Sequence, residues 1–139
     1  MKYPAKFTPD AEAGGYVVTF RDIPEAITQG DDEAEALAMA RDVLLESMSV
    51  YFDEKRPVPA PSKLKAGERL IDLPLSVSAK IFLLNEMLEK QVGPSALARL
   101  MNTTPQEINR LIDLGHTSKI DRIEEAMGAL GRELELIAA

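Results

Sequence analysis

The stretch that decides the architecture runs Pro94-Ser95-Ala96-Leu97-Ala98-Arg99-Leu100-Met101-Asn102-Thr103-Thr104-Pro105-Gln106-Glu107-Ile108-Asn109-Arg110-Leu111-Ile112-Asp113. Two helices that cross steeply through a short turn need a small residue where their backbones approach, and Ala98 fills that place. Four residues later the chain must enter a left-handed conformation, which suits glycine best and asparagine next; Asn102 stands there. Leu97, Met101, Ile108 and Leu111 fall where apolar side chains must lock the pair. Thr104 is then the cap of the second helix and Pro105 its first residue, where a missing N–H costs nothing. The spacing predicts a helix-turn-helix that presents Gln106, Asn109 and Arg110 outward. Glutamine and asparagine pair bidentately with adenine, and arginine with guanine or phosphate. Ser95, Arg99, Thr104, His116 and Lys119 complete the residues expected to face DNA. A plain helical hairpin with a solvated outer face is the simpler alternative. The small, turn and cap positions all favour the DNA-binding reading. Such a motif binds weakly as a monomer, so two copies across a pseudo-palindrome are expected.

Further helical pattern surrounds this stretch. Ser76 is the expected cap of a helix carrying Val77, Ile81, Leu84 and Leu88 on one face, which stops near Gly93-Pro94. The shorter segments expected are Ser95–Met101, Pro105–Leu114 and Lys119–Leu130, the last capped by Thr117 or Ser118. Gly131 ends or interrupts it before Leu134 to Ile137.

Upstream of Pro74 the pattern is different. Tyr3, Ala5 and Phe7 alternate with Pro4, Lys6 and Thr8, and Tyr16, Val18 and Phe20 alternate with Val17 and Thr19, which reads as two strands. Gly14-Gly15 supplies the free dihedrals of the hairpin between them. Pro4 suits an edge or the start of a strand, because it cannot donate to the ladder. A third strand is expected over 26–29. Asp32 followed by Glu35 resembles a capping box for a helix reaching about Phe52, with Leu37, Ala40, Leu44, Met48 and Tyr51 on its apolar face. Pro57, Pro59 and Pro61 punctuate a connector, and Glu68 to Leu73 reads as a returning strand. The expected class is α+β: a βββαβ domain over 1–75, then an all-helical domain over 76–139.

Composition narrows the chemistry. The chain has 139 residues, 16 Lys and Arg, 23 Asp and Glu, one His and no Cys, for a net charge of −7. Without cysteine there is no disulfide scaffold, thiolate metal site or cysteine nucleophile. A single histidine, His116, excludes a multi-histidine metal site within one chain. No apolar run approaches the roughly 18 residues of a membrane span. The start Met1-Lys2-Tyr3-Pro4 has no signal-peptide core, so a cytoplasmic location and no membrane partner are expected. Residues 1–75 carry −5 and residues 76–139 carry −2, whereas 94–122 is +1 through Arg99, Arg110, Lys119 and Arg122. Nucleic-acid binding would therefore rest on a local patch.

Asp10, Asp22, Asp31, Asp32 and Asp72 lie near strands or their ends, where carboxylates can bind magnesium for nuclease chemistry. No pair of them has a spacing that specifies a metal, and a solvated acidic surface is the simpler reading. No catalytic residue, metal or cofactor is expected. His116 reads as a loop residue or phosphate contact.

The run Gly14-Gly15-Tyr16-Val17-Val18-Thr19-Phe20-Arg21-Asp22-Ile23-Pro24, with Thr28, Gly30 and an acidic helix start followed by Ala36 and Ala40, resembles the HicB antitoxin family. The resemblance extends over essentially the whole chain. Pro74-Leu75-Ser76-Val77 and Ala129-Leu130-Gly131 look like the family's helix-turn-helix variant rather than its ribbon-helix-helix variant. The chain departs from the family pattern at Arg21-Asp22-Ile23-Pro24-Glu25, where Pro-Asp-x-Pro-Gly is frequent, and at Pro94, where a glutamine is expected.

The resemblance implies a partner, the small basic HicA-type toxin, an mRNA-cleaving ribonuclease with a catalytic histidine. It implies that a degenerate ribonuclease-H-like N-terminal domain covers the toxin's active surface, with contacts expected at Asp10, Tyr16, Arg21, Asp22 and Glu25. It also implies that the C-terminal domain forms a homodimer or higher oligomer and represses its own operon at operator double-stranded DNA. A stand-alone helix-turn-helix regulator whose α+β half senses a ligand or protein is the alternative. The acidic N-terminal half is a suitable counterpart for a basic RNA-binding enzyme, because complementary charge speeds encounter and selects the partner.

Overall fold

Alternating apolar residues near the start of the chain build a sheet. In the computed structural model, which describes residues 1–139, the strands are β1 (Lys2–Pro9), β2 (Tyr16–Phe20), β3 (Ile27–Gly30) and β4 (Glu68–Asp72). They form one antiparallel sheet in the order β3-β2-β1-β4. Pairing of Ala5 with Phe20, Phe7 with Val18 and Tyr3 with Ile71 places these side chains on one face, where Tyr3, Ala5, Val18 and Ile71 are fully buried. Pro4, expected at an edge or a strand start, is instead the third residue of β1, an interior strand; it sits opposite Leu70, and the β1–β2 ladder begins only at Ala5, so its missing N–H costs no bond on that side.

Helix α1 (Glu33–Glu54) comes after β3. Asp32 Oδ1 accepts the Glu35 amide at 2.8 Å, and Glu35 Oε1 accepts the Asp31 amide at 3.4 Å, so the reciprocal bond lands one residue before the cap. Ala36, Ala40, Leu44 and Met48, spaced by four, are fully buried. Leu37, expected on this face, is only half-buried, and Ala36 takes its place. The reason is close approach. A Cβ on Gly30 would lie 2.6 Å from the Ala36 Cα, and one on Gly15, whose φ is +72°, would lie 2.8 Å from the Asp31 Cα. The hairpin, the end of β3 and the first turn of α1 meet at backbone distance, and only small residues fit there.

Four more helices complete the chain: α2 (Leu75–Glu89), α3 (Pro94–Met101), α4 (Pro105–Leu111) and α5 (Ile120–Ala129). Ser76 is not a cap, because α2 already begins at Leu75, directly after Pro74. The chain leaves α2 through Gln91, at φ 56°, with the Val92 amide donating to Met87 O at 2.9 Å. Helix α4 stops at Leu111, short of the expected Leu114, and α5 is preceded by Lys119 rather than capped by Thr117 or Ser118. Past α5 the Arg132 amide turns back to Met127 O at 2.9 Å, and residues 132–139 are not helical. Leu136 and Ile137 there are 76% and 82% exposed.

By internal contacts the chain divides into one unit made of Met1–Tyr51 and Val58–Pro74 and another made of Phe52–Pro57 and Leu75–Ala139. Each has its own buried aliphatic set. In the helical unit it includes Ile81, Leu84, Leu97, Ile108 and Ile123.

Candidate functional site

The turn between α3 and α4 has the geometry that its residues demand. Asn102 is left-handed at φ 54°, ψ 48°, and the Thr103 amide donates to Ala98 O at 2.9 Å. Thr104 is extended, and its Oγ1 accepts the Glu107 amide at 3.2 Å; Pro105 takes the first helical position. Leu97, Ala98, Ile108 and Leu111 are buried between the helices, with Met101 half-buried beside them. This leaves Gln106, Asn109 and Arg110 exposed on α4, Ser95 and Arg99 exposed on α3, and Thr104 exposed in the turn. The Arg110 guanidinium is held at 2.6 Å by Glu107, one turn back on the same helix.

The residue that fixes the far end of α4 is one that sequence reasoning missed. Lys80, on α2, is 3% exposed. Its ammonium donates to the carbonyls of Arg110 at 3.0 Å, Asp113 at 2.7 Å and His116. Those oxygens sit at the end of α4 and in the loop behind it, where helix carbonyls have no intrahelical partner. Burial holds the Lys80 ammonium below the ordinary lysine range, and the neighbouring Asp113 charge pulls it part of the way back. A signal for it existed: Val77, Lys80, Leu84 and Met87 keep helical spacing, and a lysine on that row has to find carbonyls or carboxylates.

Beyond α4 the loop and the start of α5 enclose a cleft of about 300 Å3, lined by Arg110, His116, Thr117, Ser118, Lys119 and Arg122, with Glu107 as its one carboxylate. His116 Nδ1 lies 3.4 Å from Ser118 Oγ, and Ser118 Oγ donates to Arg110 O at 3.4 Å. The serine is therefore engaged with α4, which explains why it does not cap α5. Arg122 pairs with Glu125 at 2.6 Å. Arg110, His116 and Lys119, singled out from the sequence, thus come together; Arg122 joins them.

The five residues expected to meet a toxin are not one cluster. Asp10 Oδ1 accepts the Glu12 and Ala13 amides at 3.1 Å each and shapes the β1–β2 turn. Tyr16 packs edge-on against Phe7, with ring centroids 6.5 Å apart. At the opposite end of β2, Arg21 makes a two-pronged pair with Glu68 at 3.0 and 3.2 Å and also donates to Lys63 O. Asp22 accepts the Ser62 amide at 2.8 Å and the Ser62 hydroxyl. Glu25 accepts the Tyr51 hydroxyl at 2.7 Å. Tyr3 donates to Pro59 O at 2.7 Å, and burial, then the Asp22 charge and Tyr51, push its phenol up to about 12. Arg21, Asp22 and Tyr3 together tie down the proline-rich connector. Asp31 and Asp32 belong to the start of α1 and Asp72 to β4, and no three acidic or histidine side chains are grouped so as to hold a metal ion.

No helix is long and apolar enough to cross a membrane. Residues 2–82 match the family described as HicB-like antitoxin of bacterial toxin-antitoxin system. The protein named Antitoxin HicB 2 of Photorhabdus laumondii is 48% identical over 99% of this chain and 96% of its own length. Antitoxin HicB of Escherichia coli K12 is 45% identical over 99% of each chain. Antitoxin HicB of Pseudomonas fluorescens is 36% identical over 90% of this chain and 86% of its own. With a family match over more than half its length and relatives this similar from end to end, the chain belongs to the HicB-like antitoxins of bacterial toxin–antitoxin systems.

Proposed function

We propose that the chain is a non-enzymatic antitoxin with two tasks. The N-terminal domain, residues 1–75, covers the active surface of a HicA-type mRNA-cleaving toxin, and the helical domain, residues 76–139, dimerises and represses the operon at its operator. The observation that carries the second task is the α3–α4 turn: a left-handed Asn102 and a Thr104 cap hold α4 with Gln106, Asn109 and Arg110 turned to solvent. The first task is supported by the names of the full-length relatives and by the −5 charge of residues 1–75, which suits a basic partner. Asp10, Tyr16, Arg21, Asp22 and Glu25 remain the proposed toxin-side residues, and their internal bonds give them a fixed presentation.

Co-expression with the product of the adjacent reading frame, then purification and mass measurement of the complex, tests the antitoxin role. The expected result is rescue of growth and a stable complex; neither rescue nor complex would refute it. For the repressor role, Gln106→Ala and Arg110→Ala are each expected to weaken operator binding by about tenfold, the value of one good base contact, while toxin binding stays unchanged. Equal operator affinity for wild type and both variants would contradict the assignment.

A further inference from the structure

The cleft between α4 and the start of α5 differs from the rest of this acidic chain. Its permanent charges are Arg110, Lys119 and Arg122 against Glu107 alone, in a protein whose net charge is −7. We propose that this cleft seats one phosphate group of a nucleic-acid backbone, held by Lys119, Arg122 and the Thr117 hydroxyl beside the recognition helix. The proposal rests on the DNA-binding reading of α3 and α4 and adds to it a second kind of contact, one that fixes the approach of α4 without reading a base.

Three features support it. First, the backbone carbonyls of Arg110, Asp113 and His116, which would repel a phosphate, are bonded to the buried Lys80 ammonium, and the one carboxylate of the lining, Glu107, is paired with Arg110. That leaves a positive charge behind the loop and donors in front of it. A smaller cavity bordered by Lys80 shares the His116, Thr117 and Ser118 wall, so the ammonium lies directly behind the cleft lining. Second, Glu107 holds the Arg110 guanidinium and Glu125 holds that of Arg122, each at 2.6 Å, whereas Lys119 makes no internal ion pair and can follow a ligand. Third, no side chain caps the start of α5: the Arg122 amide turns to Lys119 O at 3.0 Å, and the amides of Ile120 and Asp121 stay open beside the Asp121 carboxylate. Unpaired amides at a helix start favour anions, and here they reinforce the cationic side chains. Arg110 belongs both to the exposed face of α4 and to the cleft wall, so a duplex touching one lies within reach of the other.

The test uses the full-length protein, the duplex immediately upstream of its own reading frame, and a scrambled duplex of equal length, over a range of salt concentrations. Lys119→Gln and Arg122→Gln are each expected to weaken both duplexes by the same factor, roughly fivefold near physiological salt, and to reduce the slope of log affinity against log salt by about 1. The operator-to-scrambled ratio should stay constant, and Arg122→Lys should restore the slope. Gln106→Ala should do the reverse, lowering the ratio and keeping the slope. Wild-type affinity and slope in both glutamine variants would overturn the phosphate seat while leaving the DNA-binding reading intact. A loss confined to the operator would overturn it too, because the contact would then be to a base. Saturation of the wild-type cleft by micromolar inorganic phosphate, with DNA affinity indifferent to the variants, would reassign the seat to a soluble phosphate ligand. If the wild type binds neither duplex, the DNA-binding reading fails and the proposal falls with it.

Discussion

The sheet unit and the helical unit use their polar side chains in opposite ways. In the sheet unit, the charged residues that stand out in the sequence are bonded to partners of their own chain, even where they are exposed: Arg21 to Glu68 and Lys63, Asp22 to Ser62, Glu25 to Tyr51. In the helical unit, Gln106, Asn109 and Lys119 face solvent, and the internal work falls to Lys80, whose partners lie 30 or more positions away. A polar residue in a motif-bearing stretch is therefore weak evidence of a contact surface. What separates the two cases is where the partner lies in the sequence.

That comparison can be tested by breaking each unit where it is most constrained. The largest effect is expected from Gly30→Ala. The new methyl would meet the backbone of α1 at the Ala36 Cα, which cannot give way as a side chain can, so the sheet unit should lose about 3 kcal/mol or more, in the range of severe overpacking. Hydrogen exchange resolved by unit checks this: protection should fall across β1 to β4 and persist in α3 to α5. Uniform loss in both units would mean that the two do not melt separately.

Next comes Lys80→Met, which keeps most of the apolar stem and takes one donor from each of three carbonyls. A cost of about 1 to 3 kcal/mol is expected in urea unfolding, mainly from the His116 carbonyl, because Arg110 O keeps the Ser118 hydroxyl and the Asp113 amide, and Asp113 O keeps the His116 amide. Protection should drop first at the end of α4. A variant as stable as wild type would show that water reaches those carbonyls.

The smallest effect is expected from Glu68→Gln, and it depends on pH. The hydrogen bond from Arg21, aided by the Lys65 amide, holds the Glu68 carboxyl below its ordinary value of 4.5. A carboxylate with a depressed folded pKa binds fewer protons than the unfolded chain does, so its stabilisation is present above 4.5 and disappears as pH falls through the lowered value. Wild type should exceed Glu68→Gln in stability at neutral pH, and the two should converge in acid. A gap that persists in acid would assign the effect to packing rather than charge.

Legibility tracks sequence distance. The helix-turn-helix can be read because each requirement is met within about a dozen residues: Ala98, Asn102, Thr104 and Pro105 act on their immediate neighbours. The acidic start of α1 and the alternation in β1 and β2 are readable for the same reason. Contacts across 30 to 47 positions are not, among them Lys80 with Arg110, Asp22 with Ser62 and Arg21 with Glu68. Smaller departures have local causes. Ser118 looks like a cap and is bonded to the Arg110 carbonyl instead, and Gln91 takes a left-handed turn that sequence rules reserve for glycine or asparagine. The cleft beside α4 is half legible: Arg110, His116 and Lys119 stand out in the sequence, and their convergence with Arg122 needs the fold.

The strand order has a consequence for ancestry and engineering. Because β1 and β4 are neighbours, with Lys2 opposite Asp72 and the Leu73 amide bonded to Met1 O at 3.0 Å, the two ends of the sheet unit adjoin, and between them only Phe52–Pro57 groups with the helical unit. A body with adjoining ends can be transplanted onto a different carrier, or relinked end to end, without rethreading its interior. Residues 1–74 grafted onto an unrelated carrier should therefore keep their sheet, with Phe52, 3% exposed in the full chain and grouped with the helical unit, as the position to make polar.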